Sequence, residues 1–458
     1  MNITVPVLAF LFLGTQAYAS EDPFDVKPLV EELPVSRICS IDAASKKLTM
    51  ADVVNLALCN NPQTKYLYTS ALQKAASLGE AKASYLPTVD LNASVSQSDR
   101  NVINHNELDS NSSNLSGALS LNWLLYDFGG RSANTEIVRQ ALVSALHTRS
   151  DTLQNLIFDV AQAYYRLFAA QEGYENSQAT VEAAKSAYDA ASKRYELGLA
   201  ALSDKLQAET SYSQAQLTAA EAEEALSLAK GKLSVLLNYP PQKSFLLEPE
   251  PYTLENMTID DNVENLLNVA LEKRADILAK KADLKQALIN VDYEKAQNLP
   301  SFSVSAGLDA ADDLTRGGHK DYASRVGLSM SVPLFTGFKN QYRVTRARYA
   351  AEQKRAELKE LENTVQTDVW ETFQTFQTAK KTHEISLTLL KSAQQSANVA
   401  LGAYKAGKGN ILNVLDAQSK LAEARTSKSR SFYLLLISKS NLIRSMGLIE
   451  PFKSEKGL

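Results

Sequence analysis

The sequence is poor in several things, and each shortage closes off a class of protein. Only 2 of its 458 residues are Cys and only 4 are His. The histidines, His105, His147, His319 and His383, are scattered without the short spacings of a zinc site. No metal and no cofactor is expected. With 18 Gly and 13 Pro the chain is neither collagen-like nor of low complexity. Its formal net charge is −4, so no basic surface for nucleic acid is indicated. After the first twenty residues no run approaches the roughly 18 uncharged apolar residues of a membrane-spanning helix. There is no phosphate-cradling glycine loop, no paired His/Cys cluster and no nucleophile elbow. An enzyme is therefore not expected.

What is present begins with an export signal. Val5 to Leu13 is almost wholly apolar, and Ala17-Tyr18-Ala19 is a small-x-small cleavage site. Residues 1–19 read as the signal peptide, although Met1 to Thr4 holds no Lys or Arg. An N-terminal periplasmic segment, 20–48, follows. In an oxidising compartment the isolated pair Cys39 and Cys59 is expected to bond. Such a bond stabilises by roughly 3 kcal/mol on the chain-entropy model and pins the segment to the first helix.

The rest is a duplication. Leu86-Pro87 recurs as Leu299-Pro300, an offset of 213. Leu125-Tyr126-Asp127-Phe128-Gly129 recurs as Leu334-Phe335-Thr336-Gly337-Phe338, and Tyr195-Glu196-Leu197-Gly198 as Tyr404-Lys405-Ala406-Gly407, both at 209. The repeats span 49–238 and 263–447; a Pro-rich, acidic linker, 239–262, joins them, and 448–458 is a tail. Each repeat reads helix, strand, strand, long helix, turn, helix.

The strands alternate with period 2. Val89, Leu91, Ala93 and Val95 share one face of the first, and Leu115, Gly117, Leu119, Leu121, Trp123 and Leu125 one face of the second. Phe302, Val304, Ala306 and Leu308 do so in the third, and Val326, Leu328, Met330, Val332 and Leu334 in the fourth, where Pro333 marks the end. Polar loops, Gln97 to Asn114 and Ala310 to Tyr322, join each pair. This is the pattern of outer-membrane strands. Four strands cannot close a membrane barrel, since the smallest need about eight. An open edge in lipid leaves backbone groups unpaired at several kcal/mol each. Three chains together would supply twelve strands.

The long helices carry a heptad. Leu153, Val160, Leu167, Tyr174, Val181, Tyr188 and Tyr195 stand seven apart, as do Val369, Phe376, His383, Leu390, Ala397 and Tyr404. A sustained seven-residue repeat means a left-handed supercoil. Such a helix approaches ~100 Å at about 1.5 Å per residue. Gly198 and Gly407 stop the long helices, and the return helices run from Asp204 to Leu237 and from Asn413 to Met446. A periplasmic adaptor would also be a helical hairpin, but with one hairpin and a soluble β domain.

Taken in order, Leu86-Pro87, Leu125 to Gly130, Tyr195 to Gly198, Val332-Pro333-Leu334-Phe335 and Tyr404 to Gln418 resemble the TolC-like outer-membrane factors. The stretch Ala57 to Thr64, with Cys39 upstream, is similar to the subgroup that includes the cyclolysin-secretion outer-membrane protein. The resemblance implies a mixed α and β membrane protein: a trimeric, twelve-stranded barrel in the outer membrane of a Gram-negative bacterium, continuous with a helical coiled-coil barrel in the periplasm. It implies a homotrimer embedded in outer-membrane lipid. It implies a periplasmic adaptor and an inner-membrane ABC or proton-driven transporter as partners, and type I protein secretion ahead of small-molecule efflux. It also implies a gate at the helix turns. Asp416 matches a lumen-facing acid, and three copies would form a cation-attracting ring; Asn413 stands where a second acid is found. Asp204 matches an acid of the closing network, while the position of its Arg partner holds Gly409, leaving Lys408 or Lys205 as alternatives. Tyr404 lies near the gate tyrosine, either hydrogen-bonding across hairpins or packing in the heptad.

Overall fold

The computed structural model describes residues 22–30, 47–100, 110–243, 245–249, 262–313 and 319–449. The expected signal peptide, Cys39 and residues 450–458 lie outside the described residues. The first repeat holds α1 (Met50–Asn60), α2 (Pro62–Ala83), β1 (Thr88–Arg100), β2 (Ser110–Tyr126), α3 (Gly130–Glu196) and α4 (Leu202–Leu236). The second holds α5 (Val263–Lys273), α6 (Ala275–Ala296), β3 (Ser301–Asp313), β4 (His319–Ser331), α7 (Lys339–Lys405) and α8 (Ile411–Ser445). Counterpart helices have equal lengths: 67 residues for α3 and α7, and 35 for α4 and α8. The strands β2 and β4 differ, at 17 and 13 residues. Pairing in β4 stops short of Pro333, which has no amide hydrogen to donate, whereas β2 runs on to Tyr126.

The chain forms two compact units. One comprises Thr69–Leu146 and Ala279–Lys359 with the N-terminal segment; the other comprises Glu32–Tyr68, His147–Leu278 and Glu360–Leu458. In the first unit the strands make a single antiparallel sheet, ordered β1-β2-β3-β4. Its register lines up the apolar residues across all four strands. Val89 pairs with Leu121, Leu121 with Ala306 and Ala306 with Val326; the next row is Leu91, Leu119, Leu308 and Ser324. The opposite face is polar. There Ser94 and Ser116 hydroxyls meet at 2.8 Å, Ser303 and Ser329 at 2.8 Å, and the Arg325 guanidinium contacts Asp309 at 2.6 Å.

Two sequence readings of the sheet need correction. The loops are shorter than Gln97–Asn114 and Ala310–Tyr322, because the ladder continues through Gln97↔Ser113, Ala310↔Tyr322 and Asp312↔Lys320. Backbone pairing does not need apolar side chains, so it outruns the alternation. Leu125 also leaves the apolar row. The register shifts between Leu124 and Tyr126, and Tyr126 takes the place opposite Phe302. Such a bulge frees backbone carbonyls, and Arg131 collects them, donating to Leu124 O at 2.6 Å and Leu125 O at 2.9 Å. Its guanidinium lies 4.8 Å from the centre of the Tyr85 ring. Asp127 accepts from the Arg131 amide at 2.6 Å and so starts α3.

The second unit has the larger apolar core. Val53, Val54 and Leu56 of α1 pack with Leu153, Val160 and Tyr164 of α3 and with Leu233 and Leu237 at the end of α4. A capping box fixes the start of α1: Thr49 Oγ accepts from the Asp52 amide, and the Asp52 carboxylate accepts from Thr49 N. Cys59, on α1, is disulfide-bonded. Leu48 bridges to Leu247, and the Tyr164 hydroxyl donates to the Glu248 carbonyl. Away from this core the seams are narrow. On α7 the buried or half-buried residues run Val369, Thr372, Phe376, Ala379, His383, Ser386, Leu390, Ala393, Ala397 and Tyr404. Large residues occupy one heptad position except at Ala397, and Thr, Ala or Ser fill the other. Small residues there let the helices approach closely.

Candidate functional site

The helix turns are built by their glycines. Gly198, at φ +69°, closes α3: its amide donates to Tyr195 O at 2.9 Å and the Leu199 amide to Arg194 O at 2.7 Å. Gly407, at φ +75°, repeats this, with Gly407 N to Tyr404 O at 3.0 Å and Lys408 N to Ala403 O at 2.9 Å. This paired bonding ends a helix through a left-handed residue, which glycine adopts without a Cβ clash. The next helix then starts at once. Asn410 caps α8, its side chain accepting from the Leu412 amide at 3.1 Å.

The two turns of one chain pack together. Ala187 and Ala191 of α3, Ala208 of α4, Tyr404 of α7 and Ile411 and Val414 of α8 form one buried cluster. Tyr404 is only 2% exposed, and its hydroxyl is buried without a hydrogen-bond partner among the described residues. Burial raises its pKa, the neighbouring Arg194 opposes this, and Asp204 adds to it. Among the described residues the hydroxyl makes no hydrogen bond, and the ring packs in the cluster. The link with charge is Arg194, whose Nη1 donates to the Tyr404 carbonyl at 2.8 Å.

Asp204 sits in the first turn of α4, where its carboxylate complements the positive helix end. Among the described residues it makes no ion pair. Lys205 instead lies over the Tyr195 ring, 5.8 Å from its centre, and Lys408 is exposed. Gly409 has a structural reason. A Cβ there would stand 3.0 Å from Tyr404 N and 3.2 Å from Ala403 C, so an arginine would displace the turn.

Asn413, Asp416 and Lys420 share the exposed face of α8, while Ile411, Val414 and Ala417 are buried. Asp416 contacts Lys420 at 2.7 Å, and this hydrogen-bonded pair raises the lysine pKa. Both side chains are solvated, so the pair is weak. Between α3, α4 and α8 lies a cavity of about 880 Å³ lined by residues such as Gly173, Thr180, Gln207, Ser211 and Ser419, with no charged side chain. It offers no acid, base or nucleophile pair.

The sheet presents the other functional surface. In the single chain its apolar rows lie open, with Val326 84% and Val89 60% exposed. Apolar residues lie open below the strands too, Leu334 and Phe335 among them. Contiguous apolar surface of this kind requires a covering phase. No described helix is long and apolar enough to cross a membrane.

Comparison with known proteins decides the class. Residues 53–238 and 266–448 match the outer membrane efflux protein family. The chain belongs to that family. It is 27% identical over 381 residues to Protein CyaE of Bordetella pertussis, covering 82% of this chain and 79% of that one. It is 25% identical over 446 residues to Outer membrane protein TolC of Escherichia coli, covering 92% and 86%. Among solved structures the outer-membrane channel OprN superposes with a TM-score of 0.77 at 19% identity, over 87% of this chain and 89% of that one, a likeness of fold. The protein is thus a TolC-like outer-membrane transport protein of a Gram-negative lineage, and its family is one of channels rather than enzymes. Arg194 and Arg131 are the residues that sequence reasoning missed. The only hint of either was a cation beside a helix end.

Proposed function

We propose that three copies of this chain form the exit duct of a tripartite export system. The observation that carries the reading is the four-stranded sheet with two unpaired edges, β1 and β4, and one predominantly apolar exposed face. Edge β4 of one chain pairing with β1 of the next, three times over, gives a closed twelve-stranded barrel. Closure satisfies the backbone groups that lipid cannot. The polar face, rich in serine and asparagine, then lines the lumen. The long helices α3 and α7, each of about 67 residues at 1.5 Å rise, continue as the coiled-coil tunnel wall.

In this reading the mature chain begins near Ser20, Cys39 bonds to Cys59, and the helix turns at Gly198 and Gly407 form the periplasmic mouth. A periplasmic adaptor and an inner-membrane transporter, ABC or proton-driven, deliver the cargo. Similarity to CyaE and to the cyclolysin-secretion subgroup favours type I protein secretion. The family's description as efflux proteins supports the alternative, small-molecule efflux. The purified mature protein in detergent should run as a trimer by light scattering and form channels in planar bilayers. A monomer that stays soluble without detergent and never conducts would overturn the duct. Deletion then separates the two cargoes: retention of a secreted polypeptide marks secretion, and sensitivity to small toxic compounds alone marks efflux.

A further inference from the structure

We propose that residues 22–30 form a strap seated in a slot on α2 that only the first repeat has, and that the strap holds edge strand β1 ready for the β4 edge of the next chain. The closing role rests on the duct reading. Strap, slot and β1 lie in one compact unit. Val26 and Val30 are buried, at 7% and 3% exposure. A Cβ added to Gly79 would stand 3.5 Å from Val26 Cγ2, so the valine rests directly over the glycine. Lys82, one turn further along α2, donates from Nζ to the Phe24 carbonyl at 3.1 Å. Between the two contacts Asp25 takes φ +53°, a left-handed conformation that aspartate tolerates better than most residues. The strap also bonds to itself. The Asp22 carboxylate accepts from the Lys27 amide at 2.6 Å, and the Leu29 and Val30 amides donate to Val26 O and Lys27 O at 3.2 and 3.1 Å.

The duplication supplies an internal control. Helices α2 and α6 each hold 22 residues and align at the offset of 213. The strap lies against Leu72, Ala75, Ala76, Gly79 and Ala83. The corresponding residues of α6 are Lys285, Leu288, Ile289, Asp292 and Ala296, so the face is cut back where the strap crosses it. Glycine inside a helix is disfavoured, and here it does two things. It leaves the space that Val26 fills. It also removes the acid that would hold the lysine. Asp292 binds Lys295 at 2.8 Å, whereas Lys82, the equivalent lysine, has Gly79 in that place and turns to Phe24. The joint that the strap steadies leads into β1. The Tyr85 and Leu86 amides donate to Lys82 O and Ala83 O at 3.1 and 2.9 Å, and β1 begins at Thr88. That strand is an edge of the sheet. Holding its start limits slippage of the register when another edge arrives.

The test is refolding of the full mature chain from urea into detergent, with trimers followed on gels and amide exchange by mass spectrometry. Gly79→Asp gives α2 the acid of α6, which fills the slot and competes for Lys82. Exchange across residues 22–30 should quicken at least about tenfold. Exchange across 83–91 should rise with it, and trimers should form several-fold more slowly. Gly79→Ala, whose Cβ makes only ordinary contact with Val26 and which favours the helix, should keep the strap and assemble at least as fast as the unsubstituted chain. Val26→Asp leaves α2 untouched and should reproduce Gly79→Asp, so it decides the matter if that variant does not fold. If the unsubstituted protein never forms trimers, the duct reading fails and the closing role with it. If it does, and Gly79→Asp releases the strap yet assembles at the normal rate, the closing role alone is overturned. If residues 22–30 exchange as fast in the unsubstituted chain as in Gly79→Asp, no strap is seated and the proposal fails.

Discussion

Placing one arginine on either face of the sheet tests the membrane assignment directly. Val326 lies mid-strand in β4, opposite Ala306, in the row that begins at Val89. The apolar band of β4 runs from Tyr322 to Met330, a stretch of about 27 Å along a strand at 3.4 Å per residue. Tilted by roughly 40°, that stretch spans about 20 Å of bilayer, close to the ~25 Å band of membrane barrels. Val326 is its midpoint, some 10 Å of depth from either interface by the same geometry. An arginine there costs ~2–4 kcal/mol per chain, so about 6–12 kcal/mol per trimer. Ser329→Arg is the control. Its side chain lies on the opposite face beside Ser303, where Arg325 is already accommodated by Asp309, and its cost should be small. Urea midpoints of both variants in lipid vesicles, read by the heat-sensitive gel shift of folded protein, give the difference. If Val326→Arg proves as stable as Ser329→Arg, the apolar rows do not face lipid and the barrel geometry is wrong.

Other expectations follow from the mouth and the seams. Asp416→Ala should weaken block of the channel by divalent cations, while Lys420→Ala, which frees the Asp416 carboxylate, should strengthen it; unchanged block in both removes Asp416 from the ion path. Burial, and secondarily the Lys428 ammonium, hold the His383 imidazole below its ordinary pKa against a weaker pull from Glu384. The unfolded chain therefore takes up the proton first, so stability is full above about pH 6.5 and declines as pH falls from there toward the folded value. His383→Gln should flatten that slope in urea titrations run across about pH 7 to 5, and an unaltered slope counts against the histidine. Gly447 has φ +71°, and a Cβ on it would stand 2.8 Å from Arg274 Cα. Gly447→Ala should lower stability by about 2 kcal/mol or more, seen as a reduced melting temperature by circular dichroism.

Much of this architecture is legible in the sequence because it follows from backbone periods. The alternation through Val89–Val95 and Phe302–Leu308 reports which side chains share a face, and the register confirms it row by row. Gly198 and Gly407 are legible because a left-handed turn disfavours a Cβ. Phe128 and Phe338 are not, since they hold positive φ, 52° and 63°, with bulky side chains that sequence gives no reason to place there. The strand ends past Gln97 are hidden because hydrogen bonding continues where hydrophobicity stops. Leu125 misleads because a bulge moves it out of phase. Arg194 and Arg131 are hidden for another reason. Arg194 acts on a carbonyl of a helix whose proximity only the fold creates, and Arg131 on carbonyls freed by a bulge that the alternation does not announce.

The duplication also shows how two equal repeats come to do different work. Asn61 joins α1 to α2 and donates to Leu236 O at 3.5 Å, at the end of α4. Arg274, its counterpart, joins α5 to α6 and donates to Ser445 O at 3.1 Å, at the end of α8. The geometry is the same, a side chain at a helix junction capping a returning helix, but the chemistry has diverged. Arg274 also meets Asp276 at 2.8 Å and Asp368 at 2.6 Å, and Arg444 approaches Asp368 at 3.6 Å. Loss of Asn61 removes two neutral hydrogen bonds, the long one to Leu236 O and the one its Oδ1 accepts from the Gln63 amide at 2.9 Å. Loss of Arg274 strands the partly buried Asp276 carboxylate beside Asp151, whose pKa burial and then Asp276 already raise, and leaves Asp368 only Arg444 at 3.6 Å. One joint is therefore tolerant and the other is committed to its ion pairs. The Arg194 contact breaks the symmetry in the opposite sense, being charged in the first repeat and Ala403 in the second. In a trimer these differences turn six similar hairpins into two sets of three.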